Sequence, residues 1–131
     1  MLTVQDVLKK EQNGEYDVKR DQVVTLKKVT NTHIFDEDLS VKRNKELIEQ
    51  NNEAFDAQSK EYLNKRRELG NQLFQDSVSA LAEEHDVSTE KATVIYNYAY
   101  RESHSAGMHE VFDTANELFE MVREFNNAKT M

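Results

Sequence analysis

The sequence predicts a mainly α-helical fold, organised as a long antiparallel helical hairpin with arms at about residues 39–84 and 88–126. The chain of 131 residues contains no proline and only three glycines, so little in it interrupts a helix. Apolar residues recur at steps of three, four and seven along both arms, which places them on one face of each helix. Apolar residues make up 37% of the chain and charged residues 32%, a balance that suits long helices with one narrow apolar stripe.

The N-terminal 35 residues are expected to form a short helix followed by a small extended or β segment. Thr3 and Asp6 form the pattern of a capping box, and the helix should end near Gln12. β-branched and aromatic residues between positions 16 and 35 favour one or two short strands, with a hairpin turning at Asn31. An irregular arm packed on the helices is the alternative. In either case residues 1–131 are expected to form a single domain.

The register of the two arms follows from the positions of their apolar residues. The first arm should end before a reversal at Asp86-Val87, and Ser88 is a good N-cap for the second arm. In an antiparallel hairpin the numbers of facing residues have a constant sum. Six apolar pairs fit one such register: Leu81 with Ala92, Val78 with Ile95, Phe74 with Ala99, Tyr62 with Val111, Phe55 with Leu118, and Ile48 with Phe125. A seam this narrow favours completion by a homodimeric coiled-coil contact.

A polar, small-residue layer interrupts the predicted seam near its middle. Gly70 and Gly107 lie on facing helices in this layer, and a break at both would fold the same pairs into a compact four-helix bundle. We expect the continuous hairpin. The layer is the candidate binding site, and its residues are Arg66, Arg67, Arg101, His104, Ser105 and His109. The alternative is a purely structural role in which the histidines are satisfied by neighbouring side chains.

Net charge indicates which partners are disfavoured. The formal charge is −8, and 13 of the 25 acidic residues lie within residues 36–88. This acidity opposes binding to nucleic acid or to an anionic membrane, and it suits a basic protein partner or imitation of DNA. There is no cysteine, and no apolar run approaches the ~20 residues of a membrane span. We therefore expect a cytoplasmic protein without a cofactor.

Paired acidic residues suggest an enzymatic alternative. Glu83-x-x-Asp86 is followed by Glu110-x-x-Asp113 and by a further acidic pair at residues 117 and 120. The pattern resembles that of the all-α nucleoside triphosphate pyrophosphatases, in which acidic pairs on neighbouring helices hold Mg²⁺. Asp86 stands where that family usually has glutamate. The resemblance implies a metal site at Glu83, Asp86, Glu110 and Asp113.

The segment from Leu81 to Ile95 resembles a DNA-binding helix-turn-helix motif. Leu81-Ala82-x3-Asp86-Val87-Ser88 is similar to the Leu-Ala-x3-Gly-Val-Ser pattern, with Asp86 in place of the turn glycine. Phosphate contact requires a basic surround, whereas Glu83, Glu84 and Asp86 are acidic. We therefore interpret the segment as a tight turn before a capped helix, without direct binding to nucleic acid.

A stretch in the second arm resembles one near the C-terminus of small tailed-bacteriophage proteins. It contains Tyr98-Ala99-Tyr100-x3-His104-Ser105-x-Gly107-x2-Glu110-Val111, preceded by Val87-Ser88-x2-Lys91-Ala92. In those proteins a glycine commonly precedes the His-Ser pair, and here Ser103 stands in its place. The resemblance covers about 25 residues and implies an origin rather than an activity.

The function expected from these observations is that of a phage-encoded, acidic protein-binding module. It would inhibit or redirect a host protein such as a defence, transcription or replication factor, through the acidic helix surface of residues 36–88. No enzymatic activity is expected. The alternatives are a Mg²⁺-dependent all-α nucleotide pyrophosphatase, and a structural helical dimer or DNA mimic.

Overall fold

The computed structural model describes residues 2–30, 38–103 and 107–130. These residues form five helices: α1 (Val4–Gln12), α2 (Arg20–Val23), α3 (Val41–Glu84), α4 (Thr89–Ser103) and α5 (Met108–Thr130). The chain divides into two compact units. The first consists of Met1–Tyr16 and Gly70–Met131, and the second of Asp17–Leu69. The mainly helical class predicted from the sequence is confirmed.

Local hydrogen bonds define α1 as the sequence predicts. The Thr3 hydroxyl accepts a hydrogen bond from the Asp6 amide, and the Asp6 carboxylate accepts one from the Thr3 amide, so the capping box is complete. The hydrogen bonds from Thr3 also lower the pKa of Asp6. After Gln12 the chain turns at Gly14, which has a φ of 77°, a conformation that glycine adopts without steric cost.

Helix α3 confirms the predicted first arm. It runs for 44 residues and does not break at Gly70. The Ser40 hydroxyl accepts a hydrogen bond from the Arg43 amide at the start of the helix. At its far end Asp86 adopts a left-handed φ of 51° and the chain reverses. The Ser88 hydroxyl then accepts a hydrogen bond from the Lys91 amide, which confirms the predicted cap of the next helix.

The prediction that residues 88–126 form one continuous arm is wrong. Helix α4 ends at Ser103 and α5 begins at Met108, and the two helices pack against each other. The Tyr96 and Phe112 rings lie 6.4 Å apart between their centroids. Folding back is favourable because it buries Phe112, which is only 1% exposed, instead of leaving it on an unpartnered helix.

The first unit contains the main apolar core. Its buried residues come from α1, the last part of α3, α4 and α5: Val4, Val7, Leu8, Val78, Ala80, Leu81, Ala82, Ala92, Ile95, Tyr96, Ala99, Met108, Val111, Phe112, Ala115 and Phe119. Leu73, Phe74 and Leu118 pack against this cluster. Of the six predicted apolar pairs, three therefore have both residues in this unit: Leu81 with Ala92, Val78 with Ile95, and Phe74 with Ala99. In each of the other three, one residue belongs to the first unit and the other to the second.

A polar cluster joins the end of the N-terminal segment to α3 within the first unit. The Tyr16 hydroxyl donates a 2.6 Å hydrogen bond to the Asp76 carboxylate, and the Lys10 ammonium lies 3.8 Å from the same carboxylate. Gln72 donates a further hydrogen bond of 2.8 Å to Asp76. Burial raises the pKa of Tyr16 well above its ordinary value, and the hydrogen bond to Asp76 adds to this effect.

The second unit contains an irregular arm, residues 24–30, that is bound by amide side chains of α3. Asn52 accepts a 2.9 Å hydrogen bond from the Val29 amide and donates a 2.8 Å bond to the Val29 carbonyl. Gln58 accepts hydrogen bonds from the Thr25 and Leu26 amides. Asn51 donates a 2.8 Å hydrogen bond to the Lys27 carbonyl. These side chains therefore replace the partner strand that the arm lacks.

The predicted β structure is not found in the described part of this segment. Residues 24–30 form neither helix nor strand, and the alternative prediction of an irregular arm on a helix describes them correctly. The hairpin predicted at Asn31 lies outside the described residues. Among the described residues of this unit, Val24 and Ile48 are the buried apolar ones, at 7% and 4% exposure.

We predict that Asn52→Ala releases the arm locally. The substitution removes both hydrogen bonds to Val29, at a cost of about 1 to 2 kcal/mol, and alanine is itself favourable in a helix. Amide hydrogen exchange at Val29 should accelerate by roughly tenfold, with little change at Leu81 in the first unit. Asn64→Ala, at an exposed position of the same helix, is the control. Equal exchange at Val29 in both variants would contradict the prediction.

Candidate functional site

The predicted polar layer is divided between the two units. Arg66 and Arg67 are exposed on α3 in the second unit, whereas Arg101 and His109 are exposed in the first unit. His104 and Ser105 lie outside the described residues. His109 lines an open cavity together with α1 residues, among them Asp6 and Lys9. Neither unit holds the predicted layer as a whole.

The four carboxylates of the suggested metal site lie on three elements. Glu83 is at the end of α3, Asp86 is in the turn after it, and Glu110 and Asp113 are on α5. Across residues 2–30, 38–103 and 107–130, no three histidine, aspartate or glutamate side chains converge closely enough to hold a metal ion. The spacing of these four carboxylates along the sequence therefore did not predict that they would meet at one site in the fold.

The outer face of α4 carries an exposed stripe that the sequence analysis did not identify. Val94, Tyr98 and Arg101 are spaced by four and three residues, so they lie on one side of the helix. Val94 is 69% exposed and Tyr98 is 51% exposed. Arg101 is also exposed, and no carboxylate in the described ranges forms an ion pair with it. We call these three residues the α4 stripe.

The opposite face of α4 explains why the stripe faces outward. Ala92, Ile95, Tyr96 and Ala99 are all buried in the core of the first unit. Phe74 contacts Tyr96 edge-on, with ring centroids 5.6 Å apart. Burial raises the pKa of Tyr96, because the interior disfavours its charged form. Since this face is fixed by the core, the α4 stripe is held on a rigid element.

Exposed apolar side chains are concentrated on the last two helices. Of the eight large apolar residues exposed in the described part of the chain, five lie on α4 and α5: Val94, Tyr98, Tyr100, Met121 and Phe125. Met121 and Phe125, four residues apart, form a second exposed pair on α5, at 63% and 61% exposure. Within α4, Val94 and Tyr98 share one face, and exposed apolar groups that share a face are typical of protein interaction surfaces.

The sequence contained a signal for the α4 stripe. Val94 and Tyr98 are apolar, yet they fall outside the stripe of residues 92, 95 and 99 that points to the core. An apolar pair four residues apart on the polar side of an amphipathic helix indicates a second contact surface. The same reasoning identifies Met121 and Phe125 once the buried face of α5 is known.

Comparisons with known proteins place the chain in a family. No helix in the described part is both long and apolar enough to cross a membrane. Searches among curated proteins and among solved structures found no match. Residues 3–123 match a protein family described as "Family of unknown function (DUF8546)". Because the match spans most of the 131 residues, the chain belongs to this family.

Proposed function

We propose that this chain is a protein-binding module whose contact surface includes the α4 stripe. The observation that carries the proposal is the exposure of Val94 and Tyr98 beside Arg101 on a helix whose other face is buried. Leaving such apolar groups in water forgoes favourable burial, at ~25 cal/mol per Å². Tyrosine and arginine, together with tryptophan, are also enriched among the residues that dominate binding energy at protein interfaces.

The chemistry of the α4 stripe defines the partner surface. A helix face with two apolar side chains and a terminal cation fits an apolar groove that has a carboxylate at one end. Arg101 would form charge-assisted hydrogen bonds with that carboxylate, and these bonds fix the register of the helix in the groove. Val94 and Tyr98 would supply most of the buried area.

The resemblance to small tailed-bacteriophage proteins supports a host protein as the partner. The module would inhibit or redirect that protein by occupying its groove. The contact surface would then lie on α4 rather than on the acidic surface of residues 36–88. That acidic surface would instead attract a basic partner from a distance, an effect that increases the rate of association. Homodimerisation is a separate prediction, tested by mass determination in solution.

Photocrosslinking from the full-length chain tests the proposal. A photoreactive amino acid replaces Val94 in one bait and Val41 in another, and each bait is irradiated in a bacterial lysate. Val41, at 86% exposure, lies on α3 in the second unit and is the matched control. We expect one discrete crosslinked host protein from position 94 and none from position 41. The band should persist at moderate salt, because apolar contact is weakly screened.

Two results would contradict the proposal. If position 94 yields no crosslinked protein at either low or moderate salt, the α4 stripe is not a contact surface in that lysate. If positions 94 and 41 capture the same proteins in equal amounts, the capture is non-specific.

A further inference from the structure

An open cavity of about 250 Å³ lies in the first unit, where the turn after α3 meets the last part of α5. It is lined by His85, Val87, Lys91, Phe119, Val122, Arg123, Asn126 and Asn127. None of these residues is acidic, although the chain as a whole carries a net charge of −8. The cavity differs in this respect from the average surface of the protein.

Two cations line the cavity from different helices. Lys91 is in the first turns of α4, and Arg123 is near the end of α5. No carboxylate within the described residues forms an ion pair with either side chain. Lys91 and Arg123 are the charged residues among those that line the cavity, so an anion inside it would meet two cations and no lining carboxylate.

The other lining groups include an aromatic pair, apolar side chains and an amide. The His85 ring stacks on Phe119 at 4.0 Å between centroids, and its Nε2 donates a 2.8 Å hydrogen bond to the Asn116 side-chain carbonyl. Val87 and Val122 supply apolar walls, and Asn126 supplies an amide that can donate a hydrogen bond. The cavity therefore combines positive charge and a polar donor with an apolar, partly aromatic wall.

We propose that this cavity binds a phosphate monoester whose organic group is small and apolar. A phosphate group offers three acceptor oxygens and close to two negative charges, which Lys91, Arg123 and Asn126 can share. The organic group would lie against Phe119 and Val122. A carboxylate offers only two acceptor oxygens and one charge, so it uses the same donors less fully. This inference does not depend on the α4 stripe, because none of its residues lines the cavity.

Nuclear magnetic resonance titration of the full chain tests the inference with phenyl phosphate, inorganic phosphate, benzoate and phenol. Phenyl phosphate should cause saturable amide shifts confined to the regions around residues 85–91 and 119–127. We expect its affinity to exceed that of each other probe by about tenfold. Inorganic phosphate lacks the apolar group, phenol lacks the charge, and benzoate offers one charge and two acceptor oxygens where phenyl phosphate offers close to two charges and three oxygens. No saturable shift at millimolar phenyl phosphate, or equal affinity for benzoate, would overturn the proposal.

Charge-neutralising variants identify the side chains that bind phenyl phosphate. Lys91→Gln and Arg123→Gln should each weaken phenyl phosphate binding by about tenfold, the usual effect of losing one charge-assisted hydrogen bond. Lys60→Gln removes the same charge from an exposed position on α3 in the second unit, and it should leave the affinity unchanged. An unperturbed spectrum without ligand shows that each variant is folded. Equal weakening by all three variants would mean that net charge, rather than the cavity, controls binding, and would overturn the proposal.

Discussion

Leu81→Ala is expected to lower the free energy of unfolding by about 2 to 5 kcal/mol, the range for replacing a buried leucine. Leu81 lies near the end of α3, is 0% exposed, and belongs to the core of the first unit. The loss combines the transfer free energy of the removed carbons with the cost of the cavity that they leave. Urea unfolding followed by circular dichroism measures the change.

Leu63→Ala is the matched control for this substitution. Leu63 lies on the same helix but is 55% exposed, so the same chemical change should cost less than about 0.5 kcal/mol. Because both variants gain the same helix propensity, the difference between them isolates burial. Similar losses for the two variants would show that Leu81 does not lie in a packed core.

Tyr98→Ser is expected to weaken binding to the crosslinked partner by about thirtyfold or more, which corresponds to the loss of a dominant interface residue. Tyr98 lies at the centre of the α4 stripe, between Val94 and Arg101. Serine removes the ring and retains a hydroxyl, so the substitution tests the buried area of the ring. The dissociation constant is measured by titration calorimetry with the purified partner.

Tyr100→Ser is the control for Tyr98→Ser. Tyr100 is 55% exposed and Tyr98 is 51% exposed, yet Tyr100 lies two residues along α4 and therefore on a different face. We expect its affinity for the partner to stay within about threefold of the wild type. Equal weakening by the two substitutions would indicate a general effect on α4 and would contradict a contact through the α4 stripe.

Local signals in the sequence predicted the ends of the helices well. Thr3 with Asp6 defines the start of α1, and Ser88 defines the start of α4, because each bond joins residues only three apart. The long α3 was predicted from its composition. These features depend on neighbouring residues, and no knowledge of the rest of the fold is needed to recognise them.

The reversal between α4 and α5 was not predicted because apolar periodicity is the same for one long helix and for two helices that fold back. The overlooked signal is the width of the apolar face. Tyr96, Phe112 and Phe119 are buried, and they lie beside the narrow stripe used for the predicted register. A face this wide requires more than one neighbouring helix. Phe125, assigned to the seam, is instead 61% exposed.

The irregular arm of residues 24–30 shows a second limit of prediction from sequence. β-branched residues indicate extended backbone, but they do not indicate which groups satisfy its hydrogen bonds. In this protein the side chains of Asn51, Asn52 and Gln58 satisfy those hydrogen bonds. In the sequence they were recognisable only as polar residues outside the apolar seam. Contacts between residues more than twenty positions apart cannot be inferred from a local pattern.

The packing of α4 against α5 determines which side of α4 is exposed, and it is tested most directly by nuclear Overhauser effects between the Tyr96 and Phe112 rings. The structure predicts clear cross-peaks, because the ring centroids lie 6.4 Å apart and ring protons of the two side chains are neighbours. One continuous helix would separate these residues by about 24 Å and give no cross-peak. Absence of the cross-peak in a folded, assigned sample would contradict the fold of the first unit and the position of the α4 stripe.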